Sequence, residues 1–139
     1  MCGRTLNILL VEDNPDHAEL VRRSLKNSPV ANLLCHVADG ESALAYILGQ
    51  NAYADRARFP APDVVLLDLR LPRLDGLDVL RRVKAHPATR ALPIVVLTTS
   101  DMERDAAIAH NHHANSFLTK PVDAERLNQV LQQLGPSKQ

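Results

Sequence analysis

Acidic side chains close two short apolar runs, and their types and spacing suggest a common chemistry. Glu12 and Asp13 follow "LNILLV" (6–11), and Asp68 ends "DVVLLD" (63–68), inside "APDVVLLDLRLPRLDG" (61–76). Two further runs end in groups that suit a negatively charged partner. "LPIVVLTT" (92–99) closes on Thr98 and Thr99, and "SFLTKP" (116–121) closes on Lys120 and Pro121. If these ends converge, three carboxylates, a hydroxyl and an ammonium share one pocket. Packed carboxylates repel one another, and a divalent cation relieves that repulsion. An all-oxygen donor set without His or Cys suits a hard ion, with Mg²⁺ the usual choice beside phosphate. Lys120 offers a point charge for one phosphoryl oxygen and the Thr98 hydroxyl a donor for another. An aspartate can itself accept a phosphoryl group. The constellation reads as phosphoryl transfer to Asp68, presented at the rim of a rigid apolar stem.

Convergence requires a parallel sheet, and the alternation along the chain predicts one. An apolar run of this length bounded by Pro62 and Pro72 is a strand buried on both faces. Helical patterns separate the strands. "NPDHAELVRRSLKNS" has Asn14 as cap, Pro15 in the first turn, and Ala18, Val21 and Leu25 on one face. "NLLCHVA" (32–38) is the second strand and "DGESALAYILGQ" the second helix. "DGLDVLRRVKAHP" buries Leu77, Leu80 and Val83 and stops at Pro87, with Asp75-Gly76 as its turn and cap. "SDMERDAAIAHNHH" is the fourth helix, with Ser100 and Glu103 at capping-box spacing. "DAERLNQVLQQLG" is the fifth, with Leu127, Val130, Leu131 and Leu134 inward. Five βα units predict an α/β fold, a doubly wound five-stranded parallel sheet in which ligands sit at the carboxyl ends of the strands. The stretch 49–62, rich in small and charged residues, reads as a loop.

Composition excludes several classes. The 139 residues suit one domain, 1–139, with a core over about 6–134 and no output domain. Lys plus Arg equal Asp plus Glu at 16 each, so no global basic charge argues for nucleic acid. Aromatics make up 3%, too few for base-stacking platforms. The apolar runs are too short to span a membrane, and "MCGRTLN" is no secretory signal. Cys2 and Cys35 lack CxxC spacing and read as free thiols in a cytoplasmic chain. His110, His112 and His113 lie near no acidic or Cys partner in sequence and read as surface residues.

"LLVEDNP", "VVLLDLRLPRLDG", "VVLTTS" and "FLTKP", in this order and spacing, resemble the receiver domain of two-component response regulators. The resemblance runs from Leu6 to Leu134 and implies a (βα)5, flavodoxin-like or CheY-like fold. It implies that Asp68 is the phosphoacceptor and that Glu12 and Asp13 hold Mg²⁺, with the backbone carbonyl of Arg70 as a further ligand. Thr98 becomes the switch hydroxyl, Phe117 the switch aromatic and Lys120 the phosphate-binding lysine, and the Lys120–Pro121 bond is expected cis. The implied partner is a sensor histidine kinase. The long loop before the third strand and "ANSFLTKP" are similar to single-domain regulators paired with bacterial phytochrome kinases. Two positions depart from the common pattern without touching the chemistry. Phe117 lacks the hydroxyl of the tyrosine often found there, and His113 stands where glycine is frequent.

Blander readings compete. Glu12-Asp13 could serve only the dipole of the following helix, Asp68 a turn, Thr98 a strand surface and Lys120 solvent. An aspartyl-phosphate phosphatase would want a second aspartate at position 70, which is arginine. A pseudo-receiver that never takes phosphate should have lost part of the set Asp13, Asp68 and Lys120. The face formed by the fourth helix (100–113), the fifth strand and the fifth helix is the expected signalling surface. It would serve a downstream partner or a homodimer. The apolar residues of the fourth helix are mostly the alanines Ala106, Ala107 and Ala109, with Met102 and Ile108, and they bury little area.

Overall fold

The computed structural model describes residues 5–28, 32–68, 76–98, 116–119 and 124–134. Their order is β1 (Leu6–Val11), α1 (Pro15–Lys26), β2 (Asn32–Val37), α2 (Gly40–Leu48), a 3₁₀ turn (Asn51–Tyr53), β3 (Val64–Asp68), α3 (Gly76–Ala85), β4 (Ile94–Thr98), β5 (Ser116–Thr119) and α4 (Ala124–Leu134). The expected helix over 100–113 lies outside the described residues, so α4 corresponds to the fifth helix expected from sequence. Among the described residues the strands form one sheet in the order β2-β1-β3-β4-β5, with every neighbouring pair parallel.

Alternation along each strand sorts the core into two layers. Leu6, Ile8 and Leu10 of β1 join Val64, Leu66, Val95, Leu97 and Leu118 on one face. Ala18, Val21 and Leu25 of α1 and Leu127, Val130 and Leu131 of α4 cover that face. Leu9, Val11, Val65, Leu67, Ile94 and Val96 line the other, under Ala43, Tyr46 and Ile47 of α2 and Val79, Leu80 and Val83 of α3. The central strands β1, β3 and β4 are therefore dry on both faces and read as continuous apolar runs, whereas the edge strand β2 leaves Leu33 exposed. Fully burying each Leu, Ile or Val contributes roughly 1.5–3 kcal/mol.

Local chemistry sets the helix ends. The Asn14 side chain accepts from the backbone N–H groups of Asp16 (2.9 Å) and His17 (3.3 Å), with Pro15 at the first helical position. Asp39 caps α2 through the Ser42 N–H at 2.7 Å. Gly49 ends α2 at φ +67°, where its N–H and that of Gln50 bond back to the carbonyls of Tyr46 and Ala45.

The stretch 49–62 is more ordered than its composition suggests. Tyr53 and Phe59 fold over α2, with ring centroids 5.0 and 6.0 Å from that of Tyr46. Arg56 ties the segment down by donating to the carbonyls of Ile47 (3.0 Å) and Phe59 (3.1 Å). The Tyr46 hydroxyl lies 3.1 Å from both the Pro60 carbonyl and the Cys35 Sγ. Three of the chain's four aromatic residues thus pack one loop onto the sheet edge. Among the described residues no helix is long and apolar enough to cross a membrane.

Candidate functional site

The helix that follows β1 covers one face of the sheet, and the helix that follows β3 covers the other. The chain therefore leaves the carboxyl ends of these adjacent strands in opposite directions, opening a crevice between them. Register brings the acidic residues to that crevice. Val11 pairs with Leu67, so Glu12 and Asp68 stand level one residue further on. Asp68 is in turn paired with Leu97 of β4, whose next residue is Thr98, and Thr98 is paired with Thr119 of β5.

Glu12 and Asp68 are almost completely buried, at 1% and 5% exposure, and Asp13 is exposed. One carboxylate oxygen from each of the three lies within 4.8 Å of the others. Local contacts hold Glu12 in place. Its N–H bonds to the Val37 carbonyl at 3.1 Å, and its own carbonyl accepts from His36 Nε2 at 2.7 Å, so that nitrogen carries the ring proton. The Asn14 N–H donates to Glu12 Oε2 at 3.3 Å, and His17 Nδ1 stands 3.7 Å from the same oxygen. The cap that starts α1 thereby also folds the acidic loop back on itself.

Two buried carboxylates beside a third repel one another, and a divalent cation between them relieves that repulsion. The donor set fits the cation expected from sequence. Two oxygens on one Mg²⁺ lie at most about 4.2 Å apart, twice a bond of 2.0–2.1 Å, so a shift of a few tenths of an ångström, available to exposed Asp13, closes the set. The exposed side leaves room for water or a phosphoryl oxygen.

Of the residues singled out in the sequence, Glu12, Asp13 and Asp68 come together. The backbones of Thr98 and Phe117 lie on neighbouring central and edge strands β4 and β5, where Phe117 pairs with Val96. The side chains of Thr98 and Phe117 fall outside what is described, as do Arg70, Lys120, Pro121, Cys2, His110, His112 and His113. Sequence reasoning missed His17 and His36. His17 could have been found, because a cap at Asn14 and a helix from Pro15 turn position 17 back toward 12. His36 carries no local signal, since its partner lies 24 residues away across a strand pair.

An acidic trio with two buried members, able to hold a metal ion at the switch point of a parallel 2-1-3-4-5 sheet, marks the class of signalling receiver domains, and comparison with known proteins agrees. Residues 8–132 match the response regulator receiver domain, and the chain belongs to that family. It is 38% identical over 125 residues to Response regulator Rcp1 of Synechocystis sp., covering 90% of this chain and 83% of that one. The Mn²⁺-bound crystal structure of Rcp1 superposes with a TM-score of 0.75 at 37% identity, covering 93% and 91% of the two chains. The bacteriophytochrome response regulator AtBRR gives 0.86 at 39% identity, covering 96% and 94%. The phosphorylated cyanobacterial phytochrome response regulator RcpA gives 0.78 at 36% identity, covering 94% and 91%.

Proposed function

We propose that this receiver accepts a phosphoryl group on Asp68 from the phosphohistidine of a sensor kinase of the bacteriophytochrome kind. The observation that carries the proposal is the placement of Asp68. It is 5% exposed at the end of the central strand, with an oxygen within 4.8 Å of the Glu12 and Asp13 carboxylates. Pairing of Asp68 with Leu97 of β4 and of the preceding Leu67 with Val11 of β1 holds its backbone, so the carboxylate meets an incoming phosphorus without reorganising the sheet. An Asp68 oxygen bonds to phosphorus as the P–N bond to the kinase histidine breaks, and the departing imidazole keeps the electron pair and takes a proton. Mg²⁺ held by Glu12, Asp13, Asp68 and the Arg70 carbonyl would neutralise charge on the phosphoryl oxygens. Lys120 and Thr98 would take the remaining oxygens by charge and hydrogen bond. Thr98 drawn inward makes room for Phe117 to turn in, and the face made by 100–113, β5 and α4 repacks for a protein partner or a second copy of the chain. The domain acts as a switch rather than a metabolic enzyme, as one unit over 1–139, in the cytoplasm. The similarity to Rcp1, RcpA and AtBRR supports the kinase class.

The test is phosphotransfer from autophosphorylated phytochrome and non-phytochrome kinases in the presence of Mg²⁺. Acid-labile, hydroxylamine-sensitive label on the wild type and none on Asp68→Asn is expected, with transfer fastest from the phytochrome kinase. Undiminished label on Asp68→Asn would overturn the assignment.

A further inference from the structure

We propose that His17 supplies a nitrogen donor at the rim of the acidic site, so that the site favours Mn²⁺ over Mg²⁺ by more than its carboxylates alone would. The inference rests on the reading that Glu12, Asp13 and Asp68 hold a divalent cation. His17 Nδ1 stands 3.7 Å from Glu12 Oε2. That is too long for a hydrogen bond, whose N···O distance is about 2.7–3.2 Å. It falls between the separations of neighbouring and opposite donors on one ion, so the His17 ring must turn to join the shell formed by the Glu12, Asp13 and Asp68 carboxylates. Bonds of about 2.0–2.2 Å place neighbouring ligands roughly 3 Å apart and opposite ones about 4.3 Å apart.

The two partners differ in freedom. The Glu12 side chain is fully buried, so its oxygen is a fixed point. The His17 side chain is 41% exposed and can turn onto an ion without unpacking the core. Its backbone is fixed by the cap, with its N–H donating to Asn14 Oδ1 at 3.3 Å. Imidazole adds little for Mg²⁺, which prefers oxygen, and more for transition ions. Mn²⁺ is the apt probe, because Ni²⁺ or Zn²⁺ would also be drawn to the run His110, His112 and His113.

The experiment is an electron paramagnetic resonance titration of the full chain with Mn²⁺, with Mg²⁺ as competitor. Pulsed spectra of the bound Mn²⁺ then report ¹⁴N coupling. Wild type, His17→Gln and the double variant Glu12→Gln, Asp13→Asn are compared. Wild type should show imidazole ¹⁴N coupling that converts to ¹⁵N on histidine labelling, and His17→Gln should lose it. Mn²⁺ affinity should fall about tenfold in His17→Gln, the order expected for one donor, with Mg²⁺ affinity changed less than about twofold. The double variant should lose saturable binding of both ions. Bound Mn²⁺ without nitrogen coupling in the wild type overturns the role of His17 while leaving the acidic site intact. So does coupling that persists in His17→Gln, or an equal fall for both ions. Saturable Mn²⁺ binding that survives the double variant overturns the acidic site itself, and the role of His17 with it.

Discussion

Asp68→Asn should stabilise the metal-free protein. Asparagine matches aspartate in shape, so the change removes one charge and little volume from a site that is 5% exposed. Glu12, at 1% exposure, presents an oxygen no more than 4.8 Å from one of Asp68. Two unit charges at that separation repel by about 3.5 kcal/mol at an effective dielectric of about 20. The hydrogen bond from Asn14 N–H to Glu12 already offsets part of this, so a net gain of about 1–3 kcal/mol is expected. For 139 residues the unfolding entropy is about 0.3 kcal/mol per kelvin, and the gain becomes a rise in Tm of roughly 3–10 °C. The assay is calorimetry of both proteins in EDTA, then in saturating Mg²⁺. At 100 times its Kd the ion stabilises the wild type by about 2.7 kcal/mol, and the variant, lacking one ligand, should gain less. The advantage of the variant should therefore shrink or invert when Mg²⁺ is added. An equal or lower Tm for Asp68→Asn in EDTA would refute the claim that these carboxylates strain one another.

Three further outcomes follow from contacts away from the site. Tyr46→Phe removes the hydroxyl that reaches the Pro60 carbonyl and Cys35, and should cost about 1–2 kcal/mol in urea unfolding at neutral pH. Burial first, then the Cys35 contact, raises the Tyr46 pKa above its ordinary 10.0. The folded state thus holds the phenolic proton more tightly, that stability is lost as pH climbs past 10, and the deficit of the Phe variant should narrow there. Lys84 donates to the carbonyls of Leu92 (2.7 Å) and Arg90 (3.2 Å), and desolvation lowers its pKa from 10.5. Between the lowered value and 10.5 the unfolded chain binds more protons, so the wild type should gain on Lys84→Met as pH rises toward 10.5, and a flat difference would contradict it. Gly49→Ala places a methyl 2.9 Å from Arg56 Nη2 at φ +67°. It should destabilise by about 1–2 kcal/mol from the left-handed backbone, with increased proteolysis within 49–62 where the Arg56 bonds are released.

By itself the sequence determined the layers, the stems and the donor types. Runs such as "VVLLD" are dry on both sides, and only a parallel sheet covered by helices on each face satisfies that. Caps are local, so Asn14, Pro15 and the buried face Ala18, Val21 and Leu25 were legible within about three helical turns. Strand-end carboxylates were legible because the fold class sends strand ends to one edge. Tertiary structure alone decided how far apart they stand. The register of Val11 against Leu67 sets Glu12 level with Asp68, and register depends on packing between strands that are more than fifty residues apart. The same holds for the loop 49–62. Its small and charged residues read as soft, yet Tyr53, Phe59 and Arg56 close it onto Tyr46 through contacts that no periodicity encodes. His17 and His36 complete the list for the same reason. A side chain's type is written locally, but its partner across the sheet or at the mouth of a crevice exists only once the chain has folded.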